Sequence, residues 1–558
     1  MKMKSWFETF PKPTAVLAGG LVLLGLLSGS ASGNLFGAGA KQSRSFKETA
    51  VSAPGKTLHI DVSDANLTVT GSDQNNIVVE AAVEVADTSK ELLDGFLAET
   101  RLILEPVADG FRLRLESPMD ENHRQAFYEK HFRVGKRLVI NFSFSAKIDV
   151  RVPAGQSLRV DNQFGDVQIK GVTGKHELRN ESGRVTVSGC GGELDLRNSF
   201  AGVDVADFKG SVTVENESGE VSLTNIAGRA EVKNSFKPVN FTKIGGPITV
   251  RSESADVTGS DVAGDCLIKS SFRTIDVRSV QGRLEVQGES SEVKVDGVKK
   301  DALIESSFKP VGATHIEGGL TVRSESCAVT AEDIGLDADI KSSFHSISAA
   351  RVQGSVTVDG ESSSVMLADI GGAVEVASSF KDVTVTNVGG RLDVKSQSAK
   401  VTASDIKQGA SIFSTFHAIE ARRVGGDFKA DGESSSVLAE DIAGGVDVNN
   451  SFKSVVLRQT SGSIRVRGES SSVEVSRIKN LPDGSVIDIR TTFKPILISF
   501  PAAAELKLTA RTDFGKILSD FPVYLEDTDE KKQIRLETGK GGVTVTLETS
   551  AGITIKKE

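Results

Sequence analysis

A column of carboxylates runs through this 558-residue chain at a fixed interval of 36 residues: Glu181, Glu217, Glu253, Glu289, Glu325, Glu361, Glu433 and Glu469, with Gln397 in the one remaining place. A basic column follows it 20 residues on, at Lys237, Arg273, Lys309, His345, Lys381, His417 and Lys453. Carboxylates and cations held in register could dock an ionic polymer. The other reading is a solvated edge whose opposite charges neighbour each other, each pair worth ~0–1 kcal/mol. The stripe mixes both signs and has little net field, which favours the solvated edge. As a contact surface it would centre on Glu253, Glu289, Glu325 and Glu361 with Lys237, Arg273, Lys309, Lys381 and Lys453.

Other chemistry is thinner. Asp261, Asp333, Asp369, Asp405 and Asp441 form a second acidic column. Calcium needs oxygens at ~2.3–2.6 Å, whereas these carboxylates sit two strand layers apart, ~9.6 Å. The intervening places hold His315, Arg351 and Arg423, which repel a cation. These Asp residues are better suited to shaping a turn. "GESS" lacks the second Gly of a nucleophile elbow, and "SEVK" at 291–294 has none of the partner motifs of a Ser-x-x-Lys enzyme. His176 and the other histidines show no metal-ligand spacing. Cys190, Cys266 and Cys327 are too few for a disulfide framework, and Cys190 and Cys266 fall on inward columns as small core residues. No catalytic residue, cofactor site or metal site emerges.

The elements that carry these columns are short strands. From Val167 to Val473, every eighteenth residue is Val or Ile. A mostly apolar column follows two residues on, a third five residues on, and then a Gly column that fails only at Lys300, Leu336, Gln408 and Asn480. Apolar residues two apart, broken by Gly and resumed, mean strands and turns rather than helices. Half-units of 18 residues cannot bury their own apolar face and must stack. The fold predicted is all-β: a single-stranded parallel β-helix, or β-solenoid, of 18-residue coils in 36-residue pairs. About 20 coils would make a rod on the order of 100 Å long.

Within each pair one aromatic stands out. Phe164, Phe200, Phe236, Phe272, Phe308, Phe344, Phe380, Phe416 and Phe452 alternate with Ser in the intervening coils. A ring needs more height than one ~4.8 Å coil provides, and a small residue above and below makes room. This predicts a structural ladder of Phe packed into a core corner.

Four regions follow. Residues 1–42 carry Lys2, Lys4 and Lys12, then an apolar core from Ala15 to Leu27, and read as a signal peptide or an uncleaved membrane anchor. Residues 43–150 lack the 18-residue register and read as a β-rich N-terminal cap, with a short helix at "SKELLDGFLAE". Residues 151–478 are the regular β-helix. Residues 479–558 hold irregular final coils and a C-terminal cap, where Phe493 and Phe514 arrive off the beat.

The runs "VRVPAGQSLRVDNQFGDVQIKGVTG" at 150–174, "NESGRVTVSG", "NESGEVSLTN" and "LETSAGITIKK" resemble the bacterial putative-adhesin β-helix family of unknown function. That resemblance implies a right-handed parallel β-helix on the envelope side and supplies no catalytic residues. Bactofilin-type scaffolds share the architecture more distantly; they are cytoplasmic and shorter.

The near-balanced charge and the scarcity of Trp and Tyr exclude a nucleic-acid surface. No loop is inserted between Phe164 and Phe452, and loops are where solenoid enzymes build clefts. The sequence therefore indicates an exported, non-enzymatic envelope rod, structural or adhesin-like. Its partner would be a cell-surface polymer or envelope protein, with membrane contact through the N-terminal segment if that stays uncleaved. The alternatives are a glycan-active β-helix enzyme and a self-assembling bactofilin-like scaffold.

Overall fold

The computed structural model describes residues 40–53, 55–87, 90–118, 120, 127, 130, 143–527 and 532–558. Nearly all of the signal or anchor segment lies outside them, and no described helix is long and apolar enough to cross a membrane.

Each coil supplies one strand to each of two parallel sheets. In a representative coil Val311–Ile316 belongs to the first sheet and Leu320–Ser324 to the second. Their partners in the next coil lie 18 residues on, Val311 opposite Val329 and Leu320 opposite Ala338. Repeating this register makes a β-solenoid of about 18 turns. Val311, Ala313, Ile316, Leu320 and Val322 are all buried, so the three apolar columns of the first sheet and the two of the second form one continuous core.

Strict alternation would turn Ile316 outward. The chain avoids this with a left-handed residue just before it: φ is 53° at His315, 57° at Asp333, 59° at Asp369, 61° at Asp405 and 62° at Asp441. Asp and Asn tolerate this conformation through local hydrogen bonding, so the Asp column does shape the turn. The intervening coils hold Arg351 and Arg423 at φ 55°, without that tolerance.

The Phe ladder is not in the core. Phe164 to Phe452 are 49–64% exposed, with Phe308 at 61%. The reason lies in how the corner between coils is built. In Phe coils the inward seat is two residues before the ring, at Ser270, Ser306, Ser342 and Ser378. In the alternate coils a second inward seat follows the small residue, at Ser291, Cys327 and Ser363. The residue after the small partner turns in and the ring turns out. Large and small residues do interdigitate, but elsewhere: buried Phe241 lies over Gly259, where an added Cβ would come within 1.9 Å of the ring.

Both ends are threaded out of sequence order. Thr57–Ser72 forms a full coil, paired with Ser157–Phe164 and Val167–Lys170 on one side and with Gly110–Glu116 and Ser143–Pro153 on the other. The stack, though not the 18-residue period, thus extends into the stretch read as a cap, with Leu67 opposite Val167. Asn76–Asp87 and Ala40–Val51 then close the first sheet as antiparallel strands. The helix Lys90–Glu99 packs on these two strands through Leu92, Leu93, Phe96 and Leu97. At the other end Val543–Thr549 lies between Val486–Arg490 and Leu506–Thr512. Ile553–Lys557 likewise lies between Ile496–Phe500 and Ile517–Ser519.

Candidate functional site

The corner after the second sheet carries the exposed rings as a ridge. The floor beneath is polar and buried. In the first coils Asn162 Nδ2 donates to Asn180 Oδ1 at 3.0 Å, and Asn180 Nδ2 to Asn198 Oδ1 at 3.2 Å. Further along Ser replaces Asn: Ser306 Oγ donates to the Ser291 carbonyl at 2.8 Å and Ser342 Oγ to the Cys327 carbonyl at 2.7 Å. These bonds tie each coil to the one before it and fix the corner from which the ring projects.

Holding the ring there strains the backbone. Phe272, Phe308 and Phe344 have φ of 66°, 63° and 64°, a left-handed conformation that costs a bulky side chain roughly 1–2 kcal/mol. Neither ring–ring nor cation–π contacts form along the ridge among the described residues; those present involve Phe96, Phe500, Phe521 and Phe46.

The structure brings the two charged columns onto this corner. Glu253, Glu289, Glu325 and Glu361 are exposed, as are Lys237, Arg273, Lys309, Lys381 and Lys453. The neighbourly pairing expected between coils does not occur. None of these side chains joins an ion pair, and charges on the adjoining sheet pair among themselves, as in Lys233 with Glu215 at 2.6 Å and Arg251 with Glu231 at 2.7 Å. A groove of about 720 Å³ runs beside the first part of the ridge. The corner contributes Glu181, Glu217 and Glu253 to it, and the strand ends contribute Arg197, Lys233 and Arg251.

The opposite corner, with the Asp column, is its electrostatic contrast. Arg351 grips Asp333 with two bonds of 2.6 and 3.0 Å, and Arg423 grips Asp405 at 2.5 and 2.8 Å. These hydrogen bonds hold both carboxyls below the usual carboxylate range. His315 Nδ1 meets Asp296 at 2.7 Å, which raises the imidazole and lowers the carboxyl. Asp333 and Asp405 are engaged by guanidinium groups, Asp369 by Asn387 and Asp441 by Lys479, and among the described residues no cluster of three metal-binding side chains exists.

His176 and the cysteines are interior. His176 is 1% exposed, and desolvation lowers its pKa. Burial pushes the Cys266 thiol up to about 12. All three cysteines are buried and free.

The off-beat rings complete the ridge. Phe493 and Phe514 are 68% and 89% exposed. The inserted coil lies between theirs and presents Ser550 and Ala551 at the corner. Ring and small residue thus still alternate in space where they do not in sequence.

No family model matches the chain and no curated protein matches it, so the family resemblance rests on its motifs alone. Among solved structures, a "putative cell adhesion protein" from Clostridium sporogenes aligns at 10% identity over 46% of this chain and 100% of that chain, with a TM-score of 0.16. A "putative lipid binding protein" from Parabacteroides distasonis aligns at 13% identity over 60% of this chain and 95% of that chain, with a TM-score of 0.13. At these scores neither carries an argument about this chain.

Proposed function

We propose that this protein is an exported, non-enzymatic envelope rod, structural or adhesin-like, that works through the Phe ridge. One observation carries the reading. Exposed rings recur at every second coil, and three of them sit in a left-handed backbone that asparagine or glycine would adopt at lower cost. Local backbone preference does not ask for Phe there, and core packing does not hold it. Conflicts of this kind between local and global fit concentrate at functional sites.

The regular coils favour binding over catalysis. Between Val167 and Ser476 the strands follow one another without inserted loops, and catalytic constellations need such irregular material. A cell-surface polymer or envelope protein would meet the ridge at many shallow contacts of equal geometry. The charged, lysine-rich start followed by an apolar run supports export.

Co-sedimentation with isolated bacterial cell walls tests the reading, comparing the wild-type chain with a variant carrying Phe272→Asn, Phe308→Asn and Phe344→Asn. Binding that the variant loses is expected. Equal binding by both, or saturable release of reducing ends from a polysaccharide, would overturn the proposal.

A further inference from the structure

The ridge has a property beyond exposure: it is complementary to itself. Coils alternate between ring plus cation, as in Phe308-Lys309, and anion plus small residue, as in Glu289-Ser290. Successive coils are ~4.8 Å apart, so rings stand ~9.6 Å apart with a gap between them. Shift one such surface by a single coil against another and every ring meets a gap, while each cation meets an anion except the one that falls opposite Gln397. The charges are available for this, because none is paired within the chain. The opposite corner, where Arg351 and Arg423 are already paired, offers no such surface.

The ends of the ridge give the direction. At the N-terminal end Gly165 and Ala201 stand where later coils have a cation, leaving Glu181 and Glu217 in excess. At the C-terminal end Lys453 and Lys494 follow their rings, while the inserted coil brings Ser550 and Ala551 to the corner. Like ends repel and unlike ends attract. We propose, on the reading that the ridge is the working surface, that its partner is a second copy of this chain packed antiparallel, ridge to ridge.

A two-fold axis between the coils of His345 and Glu361 satisfies most of the pattern; it leaves Lys309 opposite Gln397 and Glu181 opposite the Phe514 coil, where Gly515 takes the place of a cation. It sets Glu361 against His345, Glu253 against Lys453, Glu217 against Lys494 and Glu469 against Lys237. Uncharged Ala201 then faces uncharged Ser550. Cation and anion are offset by two residues across the corner, ~7 Å of backbone, which the long Lys and Glu side chains span. A ridge of about 18 turns and ~10 Å breadth offers on the order of 900 Å² per copy, comparable to the ~800 Å² of a stable interface. Rods reaching toward each other from facing surfaces would overlap in this antiparallel sense.

Sedimentation velocity of the full-length chain, with cross-linking by a short bis-maleimide, tests this. Wild type is expected at twice the chain mass. The variant Phe272→Asn, Phe308→Asn, Phe344→Asn should fall to the monomer mass while keeping its circular dichroism. A Lys237→Cys/Glu469→Cys double variant should cross-link into covalent dimers, since within one chain these positions lie ~60 Å apart. Each single variant should stay uncoupled, because the native thiols are buried. A monomeric wild type, a ridge variant that still dimerises, or single variants that couple to themselves would overturn the antiparallel pair. If wild type is monomeric yet binds cell walls through its rings, self-pairing falls and the adhesive reading stands; if the rings matter to neither, both fall.

Discussion

Replacing Phe308 by Asn separates an outward ridge from an inward ladder. The ring is 61% exposed, so about two-fifths of the ~200 Å² an aromatic can bury is hidden. At ~25 cal/mol per Å² the lost contact is worth at most ~2 kcal/mol. Against this, φ is 63°, and relieving a bulky residue of that conformation returns about 1 kcal/mol, since asparagine visits it readily. The net loss should be ~1 kcal/mol or less. A ring packed in the core would cost ~3–5 kcal/mol on truncation, and Phe241→Ala, at a side chain 1% exposed, supplies that comparison within the same rod. Long repeat arrays do not unfold in one step, so hydrogen exchange at amides of the affected coil is the suitable assay, read as local opening free energy. A Phe308→Asn loss equal to that of Phe241→Ala would refute the outward placement and with it the ridge.

Gly259→Ala would drive a methyl to within 1.9 Å of the Phe241 ring, costing ~1–3 kcal/mol by overpacking; adding Phe241→Leu should recover most of it in a thermal melt. Ser342→Ala removes the buried hydroxyl that satisfies the Cys327 carbonyl, and exchange in that corner should reveal a loss of ~1–3 kcal/mol. His176 is buried with its pKa lowered from 6.5, so the unfolded chain takes up the proton first. Its contribution is therefore present above about pH 6.5 and lost as pH falls below, by ~1.4 kcal/mol per unit until the buried ring also protonates. His176→Leu, matching Leu158 and Leu194 in adjoining coils, should flatten that slope for the first coils in melts taken at a series of pH values.

What the sequence showed and what it hid follow from period. The Val and Ile column from Val167 fixes register and sheet, because a shift of one residue would expose every member. The Asp column announced a turn because its residue type is itself tolerant of the backbone required. The Phe column showed only that large alternates with small, which is compatible with a ring inside or outside. The discriminating signal lay one place on: Lys237, Arg273 and Lys309 follow rings, while Ala255, Ser291 and Cys327 follow the small residues. Charges resist burial and small residues do not, so the inward seat alternates and the ring is displaced outward. The intercalated end coils left no periodic trace, since Leu67 meets Val167 across 100 residues rather than 18.

That threading changes what holds the rod together. Closing a loop of ~100 residues instead of ~18 costs about 1.5 kcal/mol more in chain entropy, a modest term beside the apolar columns each inserted coil buries. In return a terminal coil becomes an interior one, paired on both sides. Among the described residues, Leu506–Thr512 meets the rest of the second sheet only through Val543–Thr549, and Ile517–Ser519 is paired only with Ile553–Lys557. Removing residues 541–558 should therefore release more than the segment deleted. The strands Leu506–Thr512, Ile517–Ser519 and Lys532–Glu537 would lose their seats, while coils up to Ile489 keep theirs. Limited proteolysis with mass mapping would show new cleavage after Phe500 and none before Asn450. Cleavage confined to the new C-terminus would mean that the Leu506 coil docks directly on the Val486 coil once the insert is gone. The intercalation would then be dispensable to the stack.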